Sequence, residues 1–225
     1  MKGVGSVMEQ YDPGYYKPFD ISVDGLGETD LDGLFERLSA PIRNHSRRVA
    51  VCSAIMAEYA KGFLQMPGLP SGTDPAGITH LGGLCHDIGK LLFPTLATTE
   101  ADYFRHPAYG ADLLEKHKGI LFSSEAEARS VLDMVRYHHE QPDGGGFPYG
   151  LRARNIPLTA GICAVADSLD HRIFSDHNLS NSSTAVFDDI KAQEGTLLYE
   201  SAVVCFERAW PRLIEQYTNW ARTVG

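Results

Sequence analysis

The chain of 225 residues predicts an all-α fold, and three observations carry that prediction. Apolar residues recur at three- and four-residue spacing, as in Val49, Cys52, Ile55, Met56, Tyr59 and Phe63. Helix-start signals stand before such runs, with Thr29 or Asp30 before Leu31, Pro41 before the second run, and Ser123 or Ser124 before Glu125. No region alternates polar and apolar residues as a half-buried strand does. There is also no internal repeat, no P-loop and no GxGxxG followed by an acidic residue.

Residues 1–28 are glycine-rich, with two prolines and three tyrosines and no helical period. They read as an irregular arm packed by Tyr11, Tyr15, Tyr16 and Phe19, preceding one domain over residues 29–225. A first helix carries Leu31, Leu34, Phe35 and Leu38, and the second runs on from Pro41 with His45 on its inward face. Residues 66–77 form a turn-rich loop, and a buried helix from Ile78 to about Ile88 ends in His86-Asp87-Ile88-Gly89-Lys90. His106-Pro107 is expected to begin the next helix, with Pro107 in its first turn and Leu113 and Leu114 inside. The helix from Glu125 to Tyr137 then delivers His138-His139, and Pro142, three glycines and Pro148 prevent it from continuing. After Ile156-Pro157-Leu158 comes an apolar helix, Ala160 to Leu169, that contains Asp167. Residues 175–183 read as a polar loop, and closing helices span roughly 184–193 and 200–222.

The bulk numbers exclude several classes. A formal net charge of −9 argues against binding a nucleic-acid polymer, which needs a basic face. No apolar run is long enough to cross a bilayer, and the N-terminus lacks a signal-peptide core. Cys52, Cys85, Cys163 and Cys205 are widely spaced among apolar residues, without a CxxC pair. They read as buried thiols in a reducing cytoplasm.

The chemistry-bearing residues are His45, His86, Asp87, His106, His138, His139 and Asp167, each on or at the end of an expected helix. Singly, His45 reads as a satisfied core histidine, His106 as a surface residue, and the His138-His139 pair as a surface pair before a loop. Asp167 is different, because an unpaired carboxylate in an apolar helix is costly and calls for a cation or metal. Asp170, one turn on, supports it from behind. Five histidines and two carboxylates suit two borderline divalent ions such as iron or manganese, whereas a structural zinc site needs four ligands, preferably thiolates.

The order of these segments resembles the HD-GYP branch of the HD-domain metal-dependent phosphohydrolases. The resemblance rests on His45-Ser46-Arg47-Arg48-Val49, His86 to Lys90, His106-Pro107 to Gly110, the block His138 to Pro148, and Ile156-Pro157-Leu158 with Ala164 to Asp167. It covers about residues 31–210, with Phe147 where tyrosine is usual. It implies an HD-domain helical bundle that hydrolyses cyclic di-GMP. His45, His86, Asp87 and Asp167 would hold one ion, and Asp87 would bridge to a second held by His106, His138 and His139. A hydroxide between the metals would attack phosphorus, and Lys90 would neutralise or protonate phosphate oxygens. Glu140 and Asp143 would organise the loop.

Departures bear on the substrate. Some members place a third-metal glutamate where this chain has Pro41, so two metals are expected. Arginines that grip the cyclic dinucleotide are replaced by Asp176, Leu179 and Gly161, leaving Arg152, Arg154 and Arg172 as candidates, and His171 replaces a common alanine. The reading is a two-metal phosphodiesterase acting on cyclic di-GMP, a related cyclic dinucleotide or another small phosphate ester. The alternatives are a metal-binding signalling module without turnover, docking a protein partner through the arm or the glycine-rich loop, and an HD-domain hydrolase or di-iron oxygenase with another substrate.

Overall fold

A computed structural model of the protein describes residues 30–60, 74–92, 100–175 and 183–224. The expected arm at 1–28, Phe63, most of the 66–77 loop, Asp176 and Leu179 lie outside these residues. Helices dominate, in the order α1 (Leu31–Glu36), α2 (Ala40–Glu58), α3 (Pro75–Cys85), α4 (Glu100–Lys116), α5 (Lys118–Leu121), α6 (Glu125–Tyr137), α7 (Leu158–Asp170), α8 (Ser183–Lys191) and α9 (Glu200–Val224). Among the described residues the only β-pairings are isolated bridges, Asp143 with Arg152 and Glu194 with Leu198.

The helix starts follow the local chemistry. Asp30, not Thr29, caps α1 by accepting the Gly33 N–H at 2.8 Å. Pro41 sits in the first turn of α2, where a missing N–H costs nothing. Ser124, not Ser123, caps α6 through the Glu127 N–H, while Glu127 reaches back to the Ser123 N–H at 2.8 Å.

Two expectations need correction. The third helix begins at Pro75 rather than Ile78, because Asp74 caps it by accepting the Ala76 N–H. It also stops at Cys85, and Ile88–Leu92 form a tighter 3-10 turn. The fourth helix begins at Glu100, so Pro107 lies in its interior rather than its first turn. Proline at 107 removes the N–H that would bond the Tyr103 carbonyl. The His106 ring takes that carbonyl instead, with Nδ1 at 2.5 Å from it.

Packing produces two apolar cores. Met56, Ile162, Leu169, Ile190, Phe206 and Leu213 join α2, α7, α8 and α9. Leu34, Ile88, Leu113, Leu114 and Val135 join α1, α4, α6 and the 3-10 turn after α3. The helices α2, α3, α6 and α7 pack against one another along the seam between these cores. No described helix is long and apolar enough to cross a membrane.

Candidate metal centre

Five separate elements bring the polar residues of the seam together. His45 comes from the first half of α2, His86 from the end of α3, and Asp87 from the residue before the 3-10 turn. His106 lies in α4, His138 caps α6 with His139 beside it, and Asp167 lies in the last turn of α7. His86, Asp87, His106, His138 and Asp167 are buried, as is Asp170 behind them.

Gly89 sets the first distance. Its φ is not left-handed, so conformational freedom is not the reason for glycine here. A Cβ at position 89 would lie 2.0 Å from the His106 carbonyl oxygen and 2.7 Å from the Gly110 nitrogen. Glycine lets the turn after Asp87 press on the α4 backbone, and this places Asp87 Oδ1 3.2 Å from His106 Nε2. The glycine-rich block works similarly on His139. Gly144 needs its positive φ of 82°, and a Cβ at Gly146 would lie 2.3 Å from the Gln141 nitrogen. The Phe147 N–H donates to the His139 carbonyl at 3.1 Å, and the Phe147 ring stacks on the His139 ring at 4.6 Å. Glu140 ties down the far side by accepting the N–H groups of Tyr149 and Leu151, each at 2.7 Å.

The histidines are oriented from behind. Nδ1 of His86 is 2.8 Å from the Gly83 carbonyl, and Nδ1 of His138 is 2.9 Å from the Val135 carbonyl. With His106 on Tyr103, each ring meets the carbonyl three residues earlier. A carbonyl only accepts, so each Nδ1 carries a proton and each ring turns its Nε2 into the seam. His45 Nδ1 donates to Asp170 Oδ2 at 2.7 Å. Asp170 in turn accepts both arms of the Arg48 guanidinium, at 2.7 and 2.8 Å, and Arg48 lies over the Phe174 ring at 4.1 Å. Asp170 therefore supports His45 from behind, not Asp167 as the sequence suggests. Arg48 was missed as its partner, although it stands one helical turn after His45.

The outcome is a group of acceptors facing one another. His106 Nε2 and His138 Nε2 are 3.3 Å apart. Asp87 Oδ2 lies 3.5 Å from His86 Nε2 and 3.9 Å from His45 Nε2, while Oδ1 faces His106. Asp167 Oδ1 lies 2.9 Å from His45 Nε2 and 3.9 Å from His86 Nε2. Neither His45 Nε2 nor His86 Nε2 makes a hydrogen bond of acceptable geometry. Buried lone pairs so arranged repel unless cations lie among them. Two groups, His106 with His138 and His139, and His45 with His86 and Asp87, each gather donor atoms within 4.8 Å of one another and could hold a metal ion. A third, His45 with Asp167 and His171, meets the same criterion.

Titration behaviour agrees with that geometry. Burial pushes His86 down, and burial with neighbouring His139 pushes His138 well down. Burial and nearby His106 bring His139 to about 3, so this ring stays neutral. Burial would raise Asp87, but His86, Lys90 and His106 outweigh it and hold the carboxyl well below its usual range. Asp167 is likewise held down, chiefly by His45 against its burial. Burial lowers His45, but Asp167 and Asp170 overcome this and raise it to about 9. Without a metal, His45 is thus an imidazolium between two carboxylates. Lys90 sits at the rim, its ammonium 2.6 Å from Asp87 Oδ2.

The chain is similar to known proteins in sequence and in fold. The sequence profile of the HD domain family matches residues 42–172, more than half of the chain. A cyclic di-GMP phosphodiesterase of Pseudomonas aeruginosa is 34% identical over 128 residues, covering 54% of this chain and 28% of that protein. A cyclic di-GMP phosphodiesterase of Thermotoga maritima is 27% identical, over 59% of this chain and 37% of that one. The 3′3′-cGAMP-specific phosphodiesterase 2 of Vibrio cholerae is 26% identical, over 69% of this chain and 30% of its own length. This chain therefore spans roughly a third of those relatives. The HD domain of phosphodiesterase PgpH from L. monocytogenes, solved in complex with cyclic-di-AMP, superposes with a TM-score of 0.53 at 14% identity. The match covers 83% of this chain and 96% of that domain, a likeness of fold.

Proposed function

Because this chain belongs to the HD domain family, we propose that it is a two-metal phosphodiesterase for cyclic di-GMP or a related cyclic dinucleotide. One observation carries the metal half of the reading. Two buried imidazoles, His106 and His138, point their Nε2 atoms at each other across 3.3 Å with Asp87 Oδ1 beside them. A divalent ion among these atoms would satisfy all three at once. The substrate half is supported by the named activities of the relatives in Pseudomonas, Thermotoga and Vibrio.

In this reading His45, His86, Asp87 and Asp167 hold one ion, and His106, His138, His139 and Asp87 hold the other. Asp87 suits a shared position, since one carboxylate oxygen faces each group. The nitrogen and oxygen donors, without thiolate, favour iron or manganese over structural zinc. Divalent ions there supply Lewis acidity toward a phosphate diester and acidify water. The protein keeps four imidazoles in the tautomer that presents Nε2 and excludes bulk water from the seam. Lys90 lies at the rim, where its ammonium offsets charge developing on phosphate oxygens. The catalytic unit comprises residues 29–225. Four buried free thiols suit a reducing cytoplasm.

A second reading keeps the ions but not turnover, and Gly161 favours it. At Gly161, where the family resemblance implies an arginine, a Cβ would already stand 3.0 Å from the Tyr199 side chain. Tyr199 and Ala202 crowd that site, and glycine presents no side chain to a phosphate from it. Anaerobic assay with ferrous iron or manganese separates the two readings. The expected result is a linear dinucleotide or GMP from cyclic di-GMP, abolished in Asp87→Ala. Two bound ions with no product from cyclic di-GMP, cyclic di-AMP or cyclic GMP-AMP would overturn the phosphodiesterase and leave the binding module.

A further inference from the structure

We infer that His171 is an additional ligand of the ion held by His45 and Asp167, closing that ion's solvent-facing side. The inference rests on the two-metal reading and deepens it. His171 stands one helical turn after Asp167, and its Nε2 lies 3.4 Å from Asp167 Oδ1. The His171 and His45 rings are 4.8 Å apart, and donor atoms of all three residues lie within 4.8 Å of one another. Its side chain is 55% exposed, so it approaches from the mouth, whereas His86 approaches from the buried side.

The local backbone holds it there. At His171 the α7 helix widens into a π-helical turn, His171–Ser175, a distortion frequent at functional sites. The next residue is pinned elsewhere, since Arg172 donates to the Ser168 carbonyl at 3.0 Å and pairs with Asp189 of α8. Position 171 is thereby left toward the seam.

His45 decides between an extra ligand and an extra ion. Its Nδ1 is committed to Asp170, so a single lone pair on Nε2 remains. One lone pair serves one ion. His171 therefore joins the ion of His45, His86, Asp87 and Asp167 rather than building a third centre. That ion then has five side chains about it, while its neighbour has His106, His138, His139 and the shared Asp87. The first ion would thus have one protein ligand more than the second. The two ions become unequal, the first tightly held and the second exchangeable and more open to substrate.

The experiment compares metal-free wild type with His171→Ala during manganese titration, following free and bound ion by electron paramagnetic resonance. Pulsed measurement at one equivalent counts coordinated imidazole nitrogens. The wild type should show two binding events of unequal affinity, with three imidazoles on the first ion. In His171→Ala the first event should weaken by about ten- to a hundredfold, with two imidazoles left and the second event unchanged. Melting of both chelated proteins at the same temperature shows that the variant folds. Two ions bound by the variant with unchanged affinity and nitrogen count overturn the His171 assignment alone. A wild type that binds fewer than two ions overturns the two-metal reading, and the assignment falls with it.

Discussion

At the scale of single residues, His45 is the most informative side chain, because its two nitrogens do different work. Nδ1 is anchored on Asp170, while Nε2 faces Asp167 at 2.9 Å. In the metal-free protein its pKa is raised from an ordinary 6.5 to about 9. A histidine raised by folding contributes stability that is fully present below pH 6.5 and lost as pH rises through about 9, on the order of 3 kcal/mol. A metal must displace that proton. Calorimetric titration of manganese in buffers of different ionisation enthalpy should show about one proton released from His45 at pH 7.5 and none above pH 10. Equal release at both values would mean the imidazolium is absent. Of the seven candidate donors only Asp167 reads singly as a costly residue in an apolar helix; the others stand out in the sequence only as a set and through the family resemblance. Arg48 does not stand out, since one more arginine on a helix carries no sign of the carboxylate it will meet.

At the scale of elements, close approach of backbones builds the centre. The 3-10 turn after Asp87 touches α4 through Gly89 against His106 and Gly110, and no larger residue fits between them. Gly89→Ala should destabilise the protein by about 3 kcal/mol or more, since the clash is with backbone that cannot rotate away. It should also weaken metal binding by separating Asp87 from His106. Thermal melting and metal titration test this, and a variant that melts like wild type would show that α4 can retreat. The sequence displays Gly89, but its reason, contact with another helix, is visible only in the fold. A single chain cannot show which glycine will meet another helix, because that partner is 17 residues away. The α6 boundaries, by contrast, were readable to the residue, as Ser124 and the Pro-Gly block mark them chemically. The start of α4 was misplaced because Pro107 resembles a first-turn proline, and only the structure shows the His106 ring taking the carbonyl it frees.

At the scale of the whole molecule, two apolar cores meet along a polar seam. The first proposed ion draws His45 and Asp167 from α2 and α7 of one core and Asp87 from beside the 3-10 turn of the other, so this metal would fasten the two cores together. Ions present at a hundred times their dissociation constant should add about 2.7 kcal/mol each to stability. Chelation should therefore lower the melting temperature by several degrees, and manganese should restore it in wild type but not in Asp87→Ala. Identical melting with and without chelator would show that the seam holds without ions. The all-α class follows from helical spacing, and so was legible throughout. The division into two cores was not, because both are written in the same apolar alphabet.

Pro107 shows how stability and readiness for function can be set against each other. Judged by helix propensity alone, any other residue at that position would improve α4, since its N–H would recover the Tyr103 carbonyl. The repaired helix would then compete with the His106 ring for that carbonyl, weakening the bond that keeps a proton on Nδ1 and turns Nε2 toward Asp87. The defect in the rod is the latch for the ligand. A programme of thermostabilisation that scored backbone bonds alone would mend this position early, and would produce a sturdier protein with a looser grip on its metal.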